Sequence, residues 1–219
     1  LPEDAFVFAS FNTNRKITIE MTAVWAEILK RSPGSVLWMM LNGPEARANM
    51  IRRFEKLGIS PKRLFFMGMV GFKDHLNRIP AADLGLDTYP VNGHTTTSEM
   101  LWAGLPALTV KGTNFASRVS ESLLSNLGVP ELIAEDMEAY KAMAVDFAAN
   151  PEKLKPFHER LETNRFFKPL FDTERFTRHL EKGYELIYER ARAGQEPDHI
   201  DVPALPPRTE PFRRDHDVA

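Results

Sequence analysis

The sequence predicts an α/β fold, a Rossmann-like doubly wound parallel sheet. Three observations carry that expectation. Short apolar runs alternate with helix-period segments over the first two thirds of the chain. The runs have no polar interior, as strands covered on both faces require. The connections between them are short, as in an open sheet wound on both sides.

Ala5–Ser10 (AFVFAS) is the first strand. Met21, Val24, Trp25, Ile28 and Leu29 then recur at helical spacing and form one apolar face. Pro33-Gly34 ends that helix, and Val36–Leu41 is a second buried strand. Pro44 opens the next helix at its first position. Met50, Phe54 and Leu57 line this helix, and Gly58 sits where a terminating glycine belongs. Leu64–Met67 is the third strand, followed by a helical turn through Lys73–Arg78. Leu84–Leu86 is the fourth, and a helix near Thr96 carries Met100, Leu101 and Trp102. Ala107–Val110 is the fifth. The next helix bears Val119, Leu123, Leu124 and Leu127 and stops at Gly128, and Leu132–Ala134 offers a sixth strand. Helices alone follow. One covers Glu138–Ala149, one starts at Asn150-Pro151 as cap and first residue, and a long one is capped by Asp172 or Thr173. The last has a stripe of Phe176, Leu180, Tyr184, Ile187 and Tyr188. Residues 1–195 thus read as one Rossmann-like domain with extra C-terminal helices. Residues 196–219, with five prolines, read as a Pro-rich extended or disordered tail.

Composition excludes several classes. The 219 residues are 43% hydrophobic and 26% charged with a net charge of −2, which is globular rather than disordered. Lys and Arg are scattered, so nucleic acid is not an expected partner. The absence of cysteine removes disulfides, thiolate metal sites and cysteine nucleophiles. No apolar run reaches the roughly 18 residues of a membrane span, and LPEDAFVF lacks a basic signal-peptide start. A cytoplasmic location and no membrane partner are expected. The chain opens almost directly into a strand, as a piece of a longer protein would. Neither G-x-G-x-x-G nor the P-loop pattern occurs, and no His/Asp/Glu cluster has zinc spacing. The one D-x-D, Asp215-His216-Asp217, lies in the tail. No metal and no cofactor are expected.

Three polar sets fall at predicted carboxyl ends of strands, where ligands of doubly wound sheets sit. Asn92–Glu99 (NGHTTTSE) follows the fourth strand and opens a helix. There Gly93 permits a close turn at the cleft, outside the core. His94, Thr95 and Thr96 present free N–H groups to an anion such as a diphosphate. Glu99 lies one turn further in, within reach of ribose hydroxyls. Asn12–Lys16 follows the first strand, and Lys16 could neutralise a phosphate. Lys73, Asp74, His75 and Arg78 follow the third strand, with His75 and Arg78 on one helical face able to meet a base. Taken singly, each set also fits a capped helix, a solvated lysine or a charged surface turn. Together they surround one cleft.

Longer stretches carry a resemblance: FNTNRKI (Phe11–Ile17), WAEILKRSPGSVLWMM (Trp25–Met40), KDHLNR (Lys73–Arg78), ADLGLDTYPVNGHTTTSEMLWAGLP (Ala82–Pro106), ASRVSESLLSNLGVPELIA (Ala116–Ala134) and the segment from Pro169 to Ile200. The chain resembles the C-terminal half of the catalytic region of O-GlcNAc transferases over nearly everything from Phe8 to Ile200. NGHTT followed by LWAG and ASRV is specific in that order.

The resemblance implies the C-terminal domain of a GT-B glycosyltransferase, which binds UDP-GlcNAc without metal. It implies that Lys16 contacts the diphosphate and stabilises the leaving group, and that His94, Thr95 and Thr96 cradle the phosphates beside Gly93. It implies that His75 and Arg78 contact uracil and Lys73 the ribose. Glu99 stands where animal members carry the ribose-binding aspartate. Thr13 replaces a phosphate-binding glutamine, and the Lys73–His75 stretch is one residue shorter than in animal members. The implied function is inverting transfer of GlcNAc to Ser/Thr of proteins. An N-terminal GT-B domain and tetratricopeptide repeats in cis would supply acceptor recognition, so this fragment alone is expected to be inactive. A relative using UDP-glucose or glycosylating asparagine, and a non-catalytic UDP-binding interaction module, remain the alternative readings.

Overall fold

A computed structural model describes residues 1–212; the last seven residues of the expected tail, with the D-x-D, lie outside the described residues. The described chain forms two compact units, which divide at Glu162/Thr163 rather than at the 195/196 boundary expected from composition.

The first unit is a six-stranded parallel sheet. Its strands are β1 (Phe6–Ser10), β2 (Ser35–Met40), β3 (Leu64–Met67), β4 (Leu84–Leu86), β5 (Ala107–Val110) and β6 (Ile133–Ala134). Their order across the sheet is β3-β2-β1-β4-β5-β6, and every pairing is parallel. The doubly wound expectation is therefore met. The sixth strand is shorter than expected because Leu132 closes a 3₁₀ turn, Pro130–Leu132, ahead of it.

β1 is central because its residues are apolar on both faces. Phe8 aligns with Leu37 of β2 on one side and with Leu84 of β4 on the other. The chain runs from β1 out to β3, then returns to place β4 on β1's free edge. The loops leaving β1 and β4 diverge at that reversal and open a crevice at their carboxyl ends.

Helices cover both faces. They are α1 (Ile19–Arg31), α2 (Pro44–Lys56), α3 (Phe72–Arg78), α4 (Thr95–Trp102), α5 (Val119–Leu127) and α6 (Met137–Ala149). Thr18 caps α1 by accepting from Met21 N, and Asp136 caps α6 through Ala139 N. Gly58 takes φ +79°, the left-handed turn that ends α2. Trp25 of α1 and Tyr140 of α6 are fully buried, with the indole N–H 3.4 Å from the phenol oxygen. Asn150 does not cap the following segment as its sequence suggests. It donates back to Asp146, and a 3₁₀ turn, Pro151–Leu154, precedes α7 (Lys155–Phe167).

In the second unit, α8 (Thr173–Arg192) is capped by Asp172, which accepts from Arg175 N at 3.0 Å. The segment after α8 has no helix or strand but is not loose along its described length. Arg175 donates to the carbonyls of Leu205 and Pro206, Leu205 N donates to His179, and Arg208 pairs with the buried Asp172. The stripe of Phe176, Tyr184 and Tyr188 stays exposed on this helix. Hydrogen bonds from Arg208 hold the Asp172 carboxyl below its ordinary value. Its stabilisation is therefore present above an ordinary aspartate pKa near 3.9 and is lost as pH falls through the lowered value. Arg208→Ala is expected to speed proteolysis of residues 200–212 at neutral pH, with far less difference from the parent at low pH.

Candidate functional site

The three polar sets meet at the crevice between β1 and β4. After β1, a 3₁₀ turn, Asn14–Lys16, swings Lys16 back so that its Nζ donates to Asn92 O at 2.5 Å, just before α4. This places an ammonium beside the start of a helix whose first N–H groups, on Thr95, Thr96 and Thr97, have no intrahelical acceptor. Burial lowers the Lys16 pKa, and the nearby Asp87 charge opposes that. Any anion bound here would favour the charged lysine. UDP affinity is therefore expected to fall with rising pH at a value below the ordinary lysine pKa of about 10.4, readable by titration at a series of pH values.

On the other side of the crevice, His75 of α3 reaches Glu99 of α4, Nε2 to Oε2 at 3.4 Å. Arg78 donates through Nε and Nη2 to His75 Nδ1 at 3.1 and 3.0 Å, and through Nη1 to Gly68 O at 3.0 Å. With Nδ1 accepting, the proton of the neutral ring sits on Nε2 and points at Glu99. Burial and the Arg78 guanidinium both lower the His75 pKa, with Glu99 opposing, so the ring is neutral at physiological pH. Phe11 backs it edge-on at 5.6 Å. Three of Arg78's five N–H donors are thus engaged, two of them on His75 Nδ1 and one on Gly68 O. Thr13 and Lys73 are exposed, and among the described residues no hydrogen bond ties either side chain to this cluster.

Gly93 differs from its expected place. It is buried, and its N–H turns inward to Asp87 Oδ1 at 2.6 Å. A Cβ there would overlap Thr97 Oγ1 and come within 3.1 Å of Asn12 Oδ1 and 3.2 Å of Asp87 Oδ1. The glycine is a packing requirement beneath the cradle, and its N–H is not offered to a ligand. His94 and Thr96, which follow it, are half-buried, and Thr95 is exposed. His94 also stands edge-on to Phe115, which is 81% exposed. A groove of about 790 Å³ opens there, lined by His94, Thr113, Phe115, Arg118 and Asn126.

Asp87 was missed by sequence reasoning. It directly follows β4, is 2% exposed, and accepts from Asn12, Thr88, Gly93 and Thr109. Burial pushes its carboxyl up, against those hydrogen bonds. Its signal was a lone carboxylate closing the apolar run LGL. The structure also explains why NGHTT and ASRVS occur together. Asn92 N donates to Ala116 O at 2.8 Å, and Ser120 Oγ donates to Gly93 O at 3.0 Å. The two motifs are halves of one hydrogen-bonded loop pair. Among the described residues, no three His, Asp or Glu side chains are grouped as metal ligands, and no helix is long and apolar enough to cross a membrane.

A cation beside a helix start and an imidazole–carboxylate pair thus meet at the carboxyl edge of a Rossmann-type α/β domain, where doubly wound sheets hold their ligands. Residues 1–180 match the sequence family described as Glycosyl transferase family 41, and the chain belongs to that family. It is 37% identical over 204 residues to a probable UDP-N-acetylglucosamine–peptide N-acetylglucosaminyltransferase, SEC, of Arabidopsis thaliana, covering 92% of this chain and 21% of the relative. It is 34% identical over 201 residues to a UDP-N-acetylglucosamine–peptide N-acetylglucosaminyltransferase of Caenorhabditis elegans, covering 91% of this chain and 17% of the relative. The chain thus spans about a fifth of the length of these relatives. Among solved structures, a mutant O-GlcNAc transferase of Thermobaculum terrenum superposes with a TM-score of 0.78 at 28% identity, covering 89% of this chain and 40% of that one. The fold is accordingly that of one half of a GT-B glycosyltransferase.

Proposed function

We propose that this chain is the donor-binding domain of a protein O-GlcNAc transferase, binding UDP-GlcNAc and using no metal. In the complete polypeptide it supports inverting transfer of GlcNAc to Ser/Thr hydroxyls. The observation that carries the reading is the pairing of two subsites across one crevice. Lys16 lies on Asn92 O at the start of α4, and the neutral His75 faces Glu99. The first suits a diphosphate and the second a base with its ribose. The family membership and the names of the relatives support UDP-GlcNAc as donor.

In such a transfer the acceptor oxygen bonds to the anomeric carbon as the bond from that carbon to the diphosphate oxygen breaks. Negative charge grows on departing UDP. Lys16 and the N–H groups of Thr95 and Thr96 are preorganised to offset it, which is often the largest catalytic contribution. The side chain that takes the acceptor proton, and the repeats that select the protein, belong to the rest of the polypeptide. The groove beside His94 and Phe115 gives the sugar or acceptor room. A cytoplasmic location fits this role.

Calorimetry of this chain with UDP, UDP-GlcNAc, UDP-glucose and NAD tests the reading. UDP and UDP-GlcNAc are expected to bind, to raise the thermal transition with concentration, and to do so equally in EDTA. Binding of NAD without UDP, or a strict magnesium requirement, would contradict it. Glu99→Gln is expected to abolish the preference for UDP over 2′-deoxy-UDP, checked by the two dissociation constants.

A further inference from the structure

We infer that Asp87 is a positioning residue for phosphate recognition: its carboxylate holds Gly93 inward and so fixes how the start of α4 presents its free N–H groups to the crevice. The inference rests on the reading of this crevice as a uridine diphosphate site.

A carboxylate this deeply buried, with no salt bridge among the described residues and only the Lys16 charge nearby, is costly, and an apolar residue would pack there at less cost. Its bonds show what it does. Oδ1 gathers Gly93 N at 2.6 Å, Thr88 N at 2.8 Å and Asn12 Nδ2 at 3.1 Å, and Oδ2 takes Thr109 Oγ1 at 2.7 Å. One side chain thus ties the loop after β1, the end of β4, the start of the cradle and β5. Its own carbonyl is held by Tyr140 OH at 3.0 Å, and Tyr140 is in turn met by Trp25. Helices α1 and α6 therefore brace Asp87 from behind. On the other side of Gly93, the carbonyl accepts from Ser120. Both peptide groups of Gly93 are pinned, so the backbone entering α4 at His94 has little freedom. The N–H groups of Thr95 and Thr96 inherit that orientation. Among the described residues, no hydrogen bond of this network ends on α3, which carries His75 and Arg78 of the base subsite; Glu99, that subsite's other side, stands one turn further along α4.

That separation gives a readout that a general loss of fold would not produce. In the full chain, Asp87→Ala is expected to weaken UDP at least about tenfold while uridine affinity, followed by NMR titration, stays near the parent's. Asp87→Asn keeps a carboxamide oxygen for Gly93, Thr88 and Asn12, and its NH₂ can donate to a rotated Thr109 hydroxyl. It is expected to bind UDP nearly as well as the parent. If Asp87→Ala does not fold, the parent's Gly93 amide decides. It should be strongly protected from hydrogen exchange and move little on adding UDP, while the Thr95 and Thr96 amides shift. The inference is overturned if Asp87→Ala binds UDP like the parent or loses UDP and uridine equally. It is overturned too if Asp87→Asn is as impaired as Asp87→Ala, or if the Gly93 amide is unprotected. A parent chain that binds neither UDP nor uridine would instead overturn the functional reading beneath it.

Discussion

Lys16→Ala is expected to weaken UDP binding roughly tenfold to a hundredfold, because a hydrogen bond to a charged group contributes about 1.5–3 kcal/mol. Uridine binding should barely change, since the ammonium sits at Asn92 O, where the proposed reading puts the diphosphate, and the His75–Glu99 pair proposed for the base lies on α3 and α4. Removing Arg78 should instead affect both ligands. The guanidinium holds His75 Nδ1 and Gly68 O, so Arg78→Ala frees the ring to rotate and costs uridine and UDP alike. Dissociation constants of the two variants for both ligands separate these outcomes. A matching loss of uridine in Lys16→Ala would mean that the crevice is oriented the other way round.

Gly93→Val should act on fold and binding together. A Cβ at this position has no space among Thr97, Asn12 and Asp87. Thr97 cannot turn aside freely, because its hydroxyl lies 3.0 Å from Ser120 Oγ in the buried layer. Overpacking of this kind costs about 1–3 kcal/mol. A lowered thermal midpoint accompanied by loss of UDP binding is expected. A place at the cleft and outside the core, as read from the sequence, would mean damage to binding with little loss of fold, and the buried position of Gly93 corrects that. A valine variant with the parent's midpoint and UDP affinity would show that the loop has another conformation in solution.

The difference at Gly93 marks where the sequence stopped being legible. Strands with apolar interiors, helix faces at regular spacing, and prolines at first helical positions are local signals. They place all six strands within a residue or two and bring the NGHTT, Asn12–Lys16 and Lys73–Arg78 loops to one crevice. What local signals do not contain is which side of a loop faces inward. Gly93 looks like a rim residue in the sequence and Asp87 draws no notice, yet both lie in a layer closed by Thr109, Ser120 and Tyr140 from distant segments. Arg78 was read as a ligand contact because its spacing from His75 is right, and the structure adds that it also holds His75 Nδ1 and Gly68 O. At Asn150 the cap pattern was present, but the side chain found closer acceptors on Asp146.

The central claim is that one crevice, at the carboxyl ends of β1 and β4, takes a uridine diphosphate. Amide chemical-shift mapping of this chain on titration with UDP tests it most directly. The predicted result is a set of saturable shifts at Lys16, His75, His94, Thr95, Thr96 and Glu99, with uridine reproducing only those near His75 and Glu99. Saturable shifts confined to other surfaces, or none at millimolar UDP, would contradict it.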